Sequence, residues 1–158
     1  MSERGTEKLE RTETKPKAYA NDLIILHVMA RQPGFFLGKK LFEAFQEAHL
    51  FYGEMNIFHR HENTDGVGRI MFSVASAVEP GSFEFSKAES FVTPGLTLFF
   101  QVDRPNQSIA AFELMLRTAK QLMMRLDGEI KDDQYKFLTL PIIERYREKV
   151  RQGHIAQQ

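Results

Sequence analysis

Pro94-Gly95-Leu96-Thr97-Leu98-Phe99-Phe100-Gln101-Val102 reads as a turn that launches a strand, and its side chains fall into two rows. Successive residues of a strand point to opposite faces, so Leu96, Leu98, Phe100 and Val102 form one wholly apolar row. Thr97, Phe99 and Gln101 form the other. The first row is core. The second carries a Phe where a solvated strand normally carries Lys, Glu or Thr. This stretch predicts a sheet packed on one face and bare, yet partly apolar, on the other.

Neighbouring segments repeat the division. Asp22–Met29 is a dense apolar, β-branched run, with Ile24, Leu26 and Val28 inward and Leu23, Ile25 and His27 outward. Arg69–Val78 gives Ile70, Phe72, Val74 and Val78 inward, against Met71, Ser73, Ala75 and Ala77 outward. Phe51–His61 has strand composition and ends at Asn63-Thr64-Asp65-Gly66, a hairpin signal. Its alternation decides nothing, because Asn56/Phe58 and Met55/Ile57 are both mixed pairs. The outward set Leu23, Ile25, Met71, Ala75, Ala77 and Phe99 is the kind of apolar area that marks an interaction site.

Helices supply the other layer. Gly38–His49 sets Leu41, Phe42, Phe45 and Ala48 at helical spacing. Ser108–Leu126 is the longest helix, with Ser108 as N-cap, Gly128 as stop, and Ile109, Phe112, Leu116, Ala119, Met123 and Leu126 as its apolar stripe. Short strands over Glu129–Lys131 and Tyr135–Leu138 flank a turn at Asp132-Asp133-Gln134. Thr139 caps a last helix that takes Pro141 in its first turn and runs to about Arg151. The order β-α-β-β-β-α-β-β-α predicts an α+β domain, a mainly antiparallel sheet of about six strands with three helices on one face. The domain spans residues 21–152. Residues 1–20 read as a polar linker or tail and 153–158 as a frayed end.

Composition narrows the function. The chain has 158 residues, 21 Lys+Arg against 21 Asp+Glu, and 42% hydrophobic residues, enough for one domain with a real core. Zero net charge argues against a general nucleic-acid binder. Without cysteine there is no disulfide framework, thiolate nucleophile or Cys-ligated metal. Leu23–Leu26, the longest apolar run, is far too short to span a bilayer, and Met1–Asn21 has no signal-peptide character. A soluble chain in a reducing cytosol is expected.

No catalytic constellation stands out, so no enzyme and no cofactor are expected. His59-Arg60-His61 would place two imidazoles on one strand face, yet no third ligand completes a metal set, and hydrogen-bonded histidines are the commoner case. Gly34-Phe35-Phe36-Leu37-Gly38-Lys39-Lys40 only faintly resembles a phosphate loop, one residue short and without Ser or Thr. His27 and His49 are single and carry no signal. Met115, Met123 and Met124 read as core filling.

Longer stretches carry a family resemblance. Gly53-Glu54-Met55-Asn56-Ile57-Phe58-His59-Arg60-His61, Asp65-Gly66 and Phe72-Ser73-Val74-Ala75 resemble the C-terminal domain of the ZipA bacterial cell-division family. Pro80-Gly81-Ser82-Phe83, Phe91 through Val102 and Asp132-Asp133-Gln134 extend the likeness over about Asp22 to Gln152. The resemblance implies a split β-α-β fold whose exposed sheet face holds a shallow hydrophobic groove for the C-terminal tail of FtsZ, the tubulin-like division protein. Carried over by position, the groove uses Leu23, Ile25, Met55, Ile57, Ala75, Ala77, Thr97 and Phe99. Alternation alone reaches all of these except Met55 and Ile57, which the resemblance adds. Ala77 and Glu79 depart from a pattern that can carry Met and Lys there. The smaller side chain deepens the groove and removes contact area, and the acid repels acidic residues of a tail.

Complete family members carry an N-terminal membrane helix and a long Pro/Gln-rich linker. The resemblance therefore implies a cytosolic domain of an inner-membrane protein, monomeric by itself, that tethers division filaments. An RNA-binding sheet using exposed aromatics is the alternative reading, although only Phe99 is clearly aromatic on that face. An apolar small-molecule carrier would need an enclosed pocket.

Overall fold

The computed structural model describes residues 22–102 and 105–156. In chain order the strands are β1 (Leu23–Ala30), β2 (Phe36–Leu37), β3 (Phe51–Tyr52), β4 (Phe58–His61), β5 (Ile70–Ser76), β6 (Val92–Thr93), β7 (Gly95–Gln101) and β8 (Gly128–Lys131). The helices are α1 (Gly38–Glu47), α2 (Pro105–Leu126) and α3 (Leu140–Ala156). Six strands form one antiparallel sheet in the order β3-β4-β5-β7-β1-β8, and β2 pairs with β6 in a separate two-stranded piece. The α+β architecture expected from the element order is the observed one.

Alternation puts the core where the apolar rows are. Ile24, Leu26 and Val28 of β1, Phe72 and Val74 of β5, and Leu96, Leu98 and Phe100 of β7 are buried together. Phe45 of α1 and Phe112, Met115 and Leu122 of α2 pack into the same cluster. Long α2 crosses β1, β5, β7 and β8 and supports α1 and α3 on the same side.

Several boundaries differ from the sequence expectation. Phe51–His61 is not one strand: a single 3-10 turn at Glu54–Asn56 separates β3 from β4, with Met55 and Asn56 in left-handed backbone conformation. Ile70 and Val78 are exposed, because Ile70 opens β5 and Val78 lies two residues past its end. Helix α2 starts at Pro105, not after Ser108, as suits a proline in a first turn where no N–H partner is needed. Of its expected stripe Phe112, Leu116 and Ala119 are buried and Met123 and Leu126 pack against the core, joined by Ala111, Met115 and Leu122, whereas Ile109 is exposed and Met124 meets solvent instead of filling the core.

Asp127, at φ 55°, ends that helix in the left-handed position, and Gly128 already belongs to β8. A Cβ on Gly128 would meet the Met29 carbonyl oxygen at 2.8 Å and the Phe36 ring at 2.9 Å. Close packing, not helix capping, explains that glycine. Tyr135–Leu138 forms a lone bridge, Lys131 to Phe137, in place of a strand. Helix α3 starts at Leu140 as expected and continues past Arg151 to Ala156. The expected tail over residues 1–20 lies outside the described residues.

Candidate functional site

The sheet face away from the helices can be laid out from the register. One row crosses β4, β5, β7 and β1 as His59, Ser73, Phe99 and Ile25, each paired with the next. The adjacent row crosses β5, β7, β1 and β8 as Ala75, Thr97, His27 and Lys131. Beyond it lie Gly95 and Met29, directly paired. At the opposite end Leu23 pairs with Gln101. Six of the residues expected on this face from sequence, Leu23, Ile25, Ala75, Ala77, Thr97 and Phe99, are half-buried. Five of them sit on three neighbouring strands, and Ala77 lies one residue past the end of β5.

Met55 and Ile57 reach the face differently. Met55 stands on the turn between β3 and β4, at φ 63°, and is 77% exposed. Ile57 is 4% exposed and does not belong to the main core cluster. It precedes Phe58, which pairs with Val74, so the register carries Ile57 toward Ala75. Its burial makes it part of the floor, not a surface contact.

Two histidines on this face are buried, and each is covered by a turn. His59 is 6% exposed. Its Nε2 lies 3.0 Å from the Glu54 carbonyl oxygen and its Nδ1 2.7 Å from Ser73 Oγ. A carbonyl can only accept, so Nε2 carries a hydrogen, and Nδ1 shares a hydrogen bond with the serine hydroxyl. Both nitrogens are thereby engaged, which removes His59 as a metal ligand. Its strand neighbour His61 lies 6.5 Å away between ring centroids. Among the described residues no cluster of three or more His, Asp or Glu is arranged to hold a metal ion.

His27 is the counterpart near the opposite edge. It is 5% exposed although no helix covers this face. Tyr135 closes it, its ring stacked on the imidazole at 4.0 Å between centroids and 11° between planes. His27 Nδ1 lies 3.0 Å from Thr97 Oγ1. Burial pushes the His27 pKa below its ordinary 6.5, against the opposing pull of Asp133 and Asp132. The two histidines together occupy the hydroxyls of Ser73 and Thr97. With those two hydroxyls engaged, the middle of the face offers a partner mainly hydrocarbon, flanked by the exposed Gln101.

Charges stand at the rim. Arg69 pairs with Glu62 at 3.1 Å beside Met71. Lys131 lies 3.9 Å above the Phe137 ring and 3.8 Å from Glu129. The result is an apolar strip centred on Phe99 and Ile25, bounded by the Met55 turn on one side and the Tyr135 turn on the other. Sequence reasoning missed Met29, whose sulfur fills the space that Gly95 leaves by having no Cβ. It missed Tyr135 as well. Continuing the β1 alternation by one step would have found Met29; no sequence period could have placed a turn residue on a histidine.

Comparison with known proteins gives the family. A family model described as "ZipA, C-terminal FtsZ-binding domain" matches residues 22–149. The "Cell division protein ZipA" of Stutzerimonas stutzeri (strain A1501) is 37% identical over 142 residues, which is 90% of this chain and 52% of that protein. The protein of the same name from Pseudomonas fluorescens (strain Pf0-1) is 38% identical over 136 residues, 86% of this chain and 47% of its own length. That of Pseudomonas entomophila (strain L48) is 38% identical over 139 residues, 88% and 47%. The chain therefore spans about half the length of these relatives. Among the described residues no helix is long and apolar enough to cross a membrane.

Proposed function

The chain belongs to the family of ZipA C-terminal FtsZ-binding domains, and from that premise we propose that it is a non-enzymatic docking module that receives the C-terminal tail of FtsZ on its bare sheet face. The observation that carries this reading is the apolar strip itself: Ile25, Phe99, Ala75 and Thr97 lie side by side with no helix over them and with the neighbouring hydroxyls already taken. Leu23 and Ala77 extend the strip along the strands, Met55 overhangs it, and Ile57 supports it from below.

A tail that is flexible when free orders as it binds and loses free energy in doing so. A shallow strip then supports a Kd on the order of micromolar, about −8 kcal/mol. Weak single contacts suffice where a filament presents many tails to many membrane-held domains, since linked sites multiply avidity. In the longer protein this tethers division filaments to the inner membrane and stabilises the division ring. The domain works as a monomer and needs no cofactor, metal or nucleic acid.

The RNA-binding alternative has little to stand on. Phe99 and His27 are the aromatic rings at the paired outward positions of β5, β7 and β1; His27 is buried, and both cross-strand neighbours of Phe99, Ile25 and Ser73, are non-aromatic. Isothermal titration with the last 15–20 residues of FtsZ, roughly what such a groove holds, tests the docking reading. Phe99→Ala is expected to weaken binding by more than about 1 kcal/mol with the melting temperature retained. Unchanged titration by that variant would overturn the site.

A further inference from the structure

Tyr135 has no role in the groove as the sequence outlines it, yet it occupies a distinctive place. It is 49% exposed, and one face of its ring is spent on His27. His27 pairs with Thr97, and two residues earlier on the same strand Ile25 pairs with Phe99. Diagonal neighbours on a sheet face lie about 7–8 Å apart, a span that an aromatic side chain covers. The ring therefore stands directly beside the apolar strip.

Its backbone is equally telling. Tyr135 has φ 62°, a left-handed conformation that costs a non-glycine residue free energy and is usually left to Gly or Asn. The turn holds it there firmly. Asp132 is buried, and its carboxylate accepts the N–H groups of Gln134 at 2.8 Å and Lys136 at 2.9 Å. The Tyr135 N–H donates to the Asp132 carbonyl at 3.0 Å. Across the strip Met55 shows the same arrangement: a large exposed side chain, left-handed backbone, and a turn whose carbonyl from Glu54 closes over a buried histidine. The face has two matching flanks.

We propose that Tyr135 is a specificity-determining wall of the FtsZ-tail groove, an aromatic contact fixed on His27 that confines an apolar side chain of the bound segment against Phe99 and Ile25. This rests on the docking reading given above and adds a contact residue to it. A wall held by a stacked ring and by hydrogen bonds to its own turn loses little freedom when a ligand arrives, so its contact area converts efficiently into affinity.

The test is titration of the same FtsZ tail peptide into the intact chain and its variants, with thermal melts alongside. Tyr135→Ala is expected to weaken binding about five- to tenfold, and Tyr135→Phe to leave it within about twofold, because the ring and not the hydroxyl makes the wall. The chain contains no Trp, so Tyr135→Trp adds a lone indole at this position. Its emission is expected to shift as peptide is added. A residue that merely shielded His27 would change the melting temperature and leave that emission still.

Wild-type binding that Phe99→Ala weakens, combined with unaltered affinity for Tyr135→Ala and a silent indole, would overturn the wall and leave the docking face standing. Absence of wild-type binding, or indifference to Phe99→Ala, would overturn the docking reading and the wall with it. Should Tyr135→Ala fail to fold, the Tyr135→Trp emission decides: a shift on titration supports the wall, and no shift overturns it.

Discussion

The Tyr146 hydroxyl of α3 donates to the Ile25 carbonyl at 3.0 Å and accepts the N–H of Asp133 at 2.9 Å. Strands β1 and β8 pair from His27↔Lys131 to Ala30↔Gly128. The phenol therefore bridges the two strands two residues past the end of their ladder, where Ile25 would face Asp133. Lys149 continues the seal, donating to the Leu23 carbonyl at 3.1 Å. Two helix side chains thus satisfy the backbone of the very residues that present Leu23 and Ile25 to the groove.

Tyr146→Phe is accordingly expected to destabilise the domain by about 1–2 kcal/mol, since it removes two part-buried hydrogen bonds at once. Denaturant unfolding monitored by circular dichroism measures this. Affinity for the FtsZ tail should fall only slightly, because the apolar side chain of Ile25 remains.

Ser73→Ala removes the hydroxyl from Nδ1 of His59, a ring that is 6% exposed. The nitrogen then lacks a partner in a site that excludes water, at a cost of about 1–3 kcal/mol. A melting temperature equal to wild type would show that His59 finds another partner.

Stability should depend on pH in the neutral range through His27. Its folded pKa lies below the ordinary 6.5, so the unfolded chain binds the proton more readily. The stabilisation is complete above the unfolded pKa and is lost as pH falls below it. Unfolding free energies measured from pH 8 down to pH 5 should decline, and His27→Asn should flatten the decline. Glu113 and Glu148 titrate separately, since their arginine partners hold both carboxyls below the ordinary 4.5.

Met55 and Ile57, neighbours in the turn and its exit, should separate binding from folding. Met55→Ala removes a side chain that is 77% exposed and should weaken the tail without moving the melting temperature. Ile57→Asp puts a charge at a position that is 4% exposed and should cost several kcal/mol of stability, about 3 or more. A folded, stable Ile57→Asp chain would mean that this side chain can turn outward.

How much of this was legible in the chain itself follows from what sets each feature. The core rows of β1 and β7, and with them Ile25, Thr97 and Phe99 on the opposite face, obey period two and were readable directly. Met55 was not, because alternation has no meaning across Glu54–Asn56, where the backbone leaves the strand; family likeness supplied that residue. Most of the α2 stripe is equally legible, whereas the exposed Ile109 and Met124 are not, because apolar character alone does not show that a side chain meets solvent. Tyr135 escaped altogether. Its position depends on Asp132 folding the turn back and on His27 offering a flat surface, a contact between residues far apart in sequence.

The left-handed turns that hold Met55 and Tyr135 have a consequence for how such a domain changes over generations. Substitution within a strand disturbs hydrogen-bonded neighbours on both sides, whereas a residue perched on a loop answers chiefly to its own few bonds. Flanks of this kind can be exchanged while the platform stays intact, so the receptor can follow drift in its ligand without first relearning how to fold.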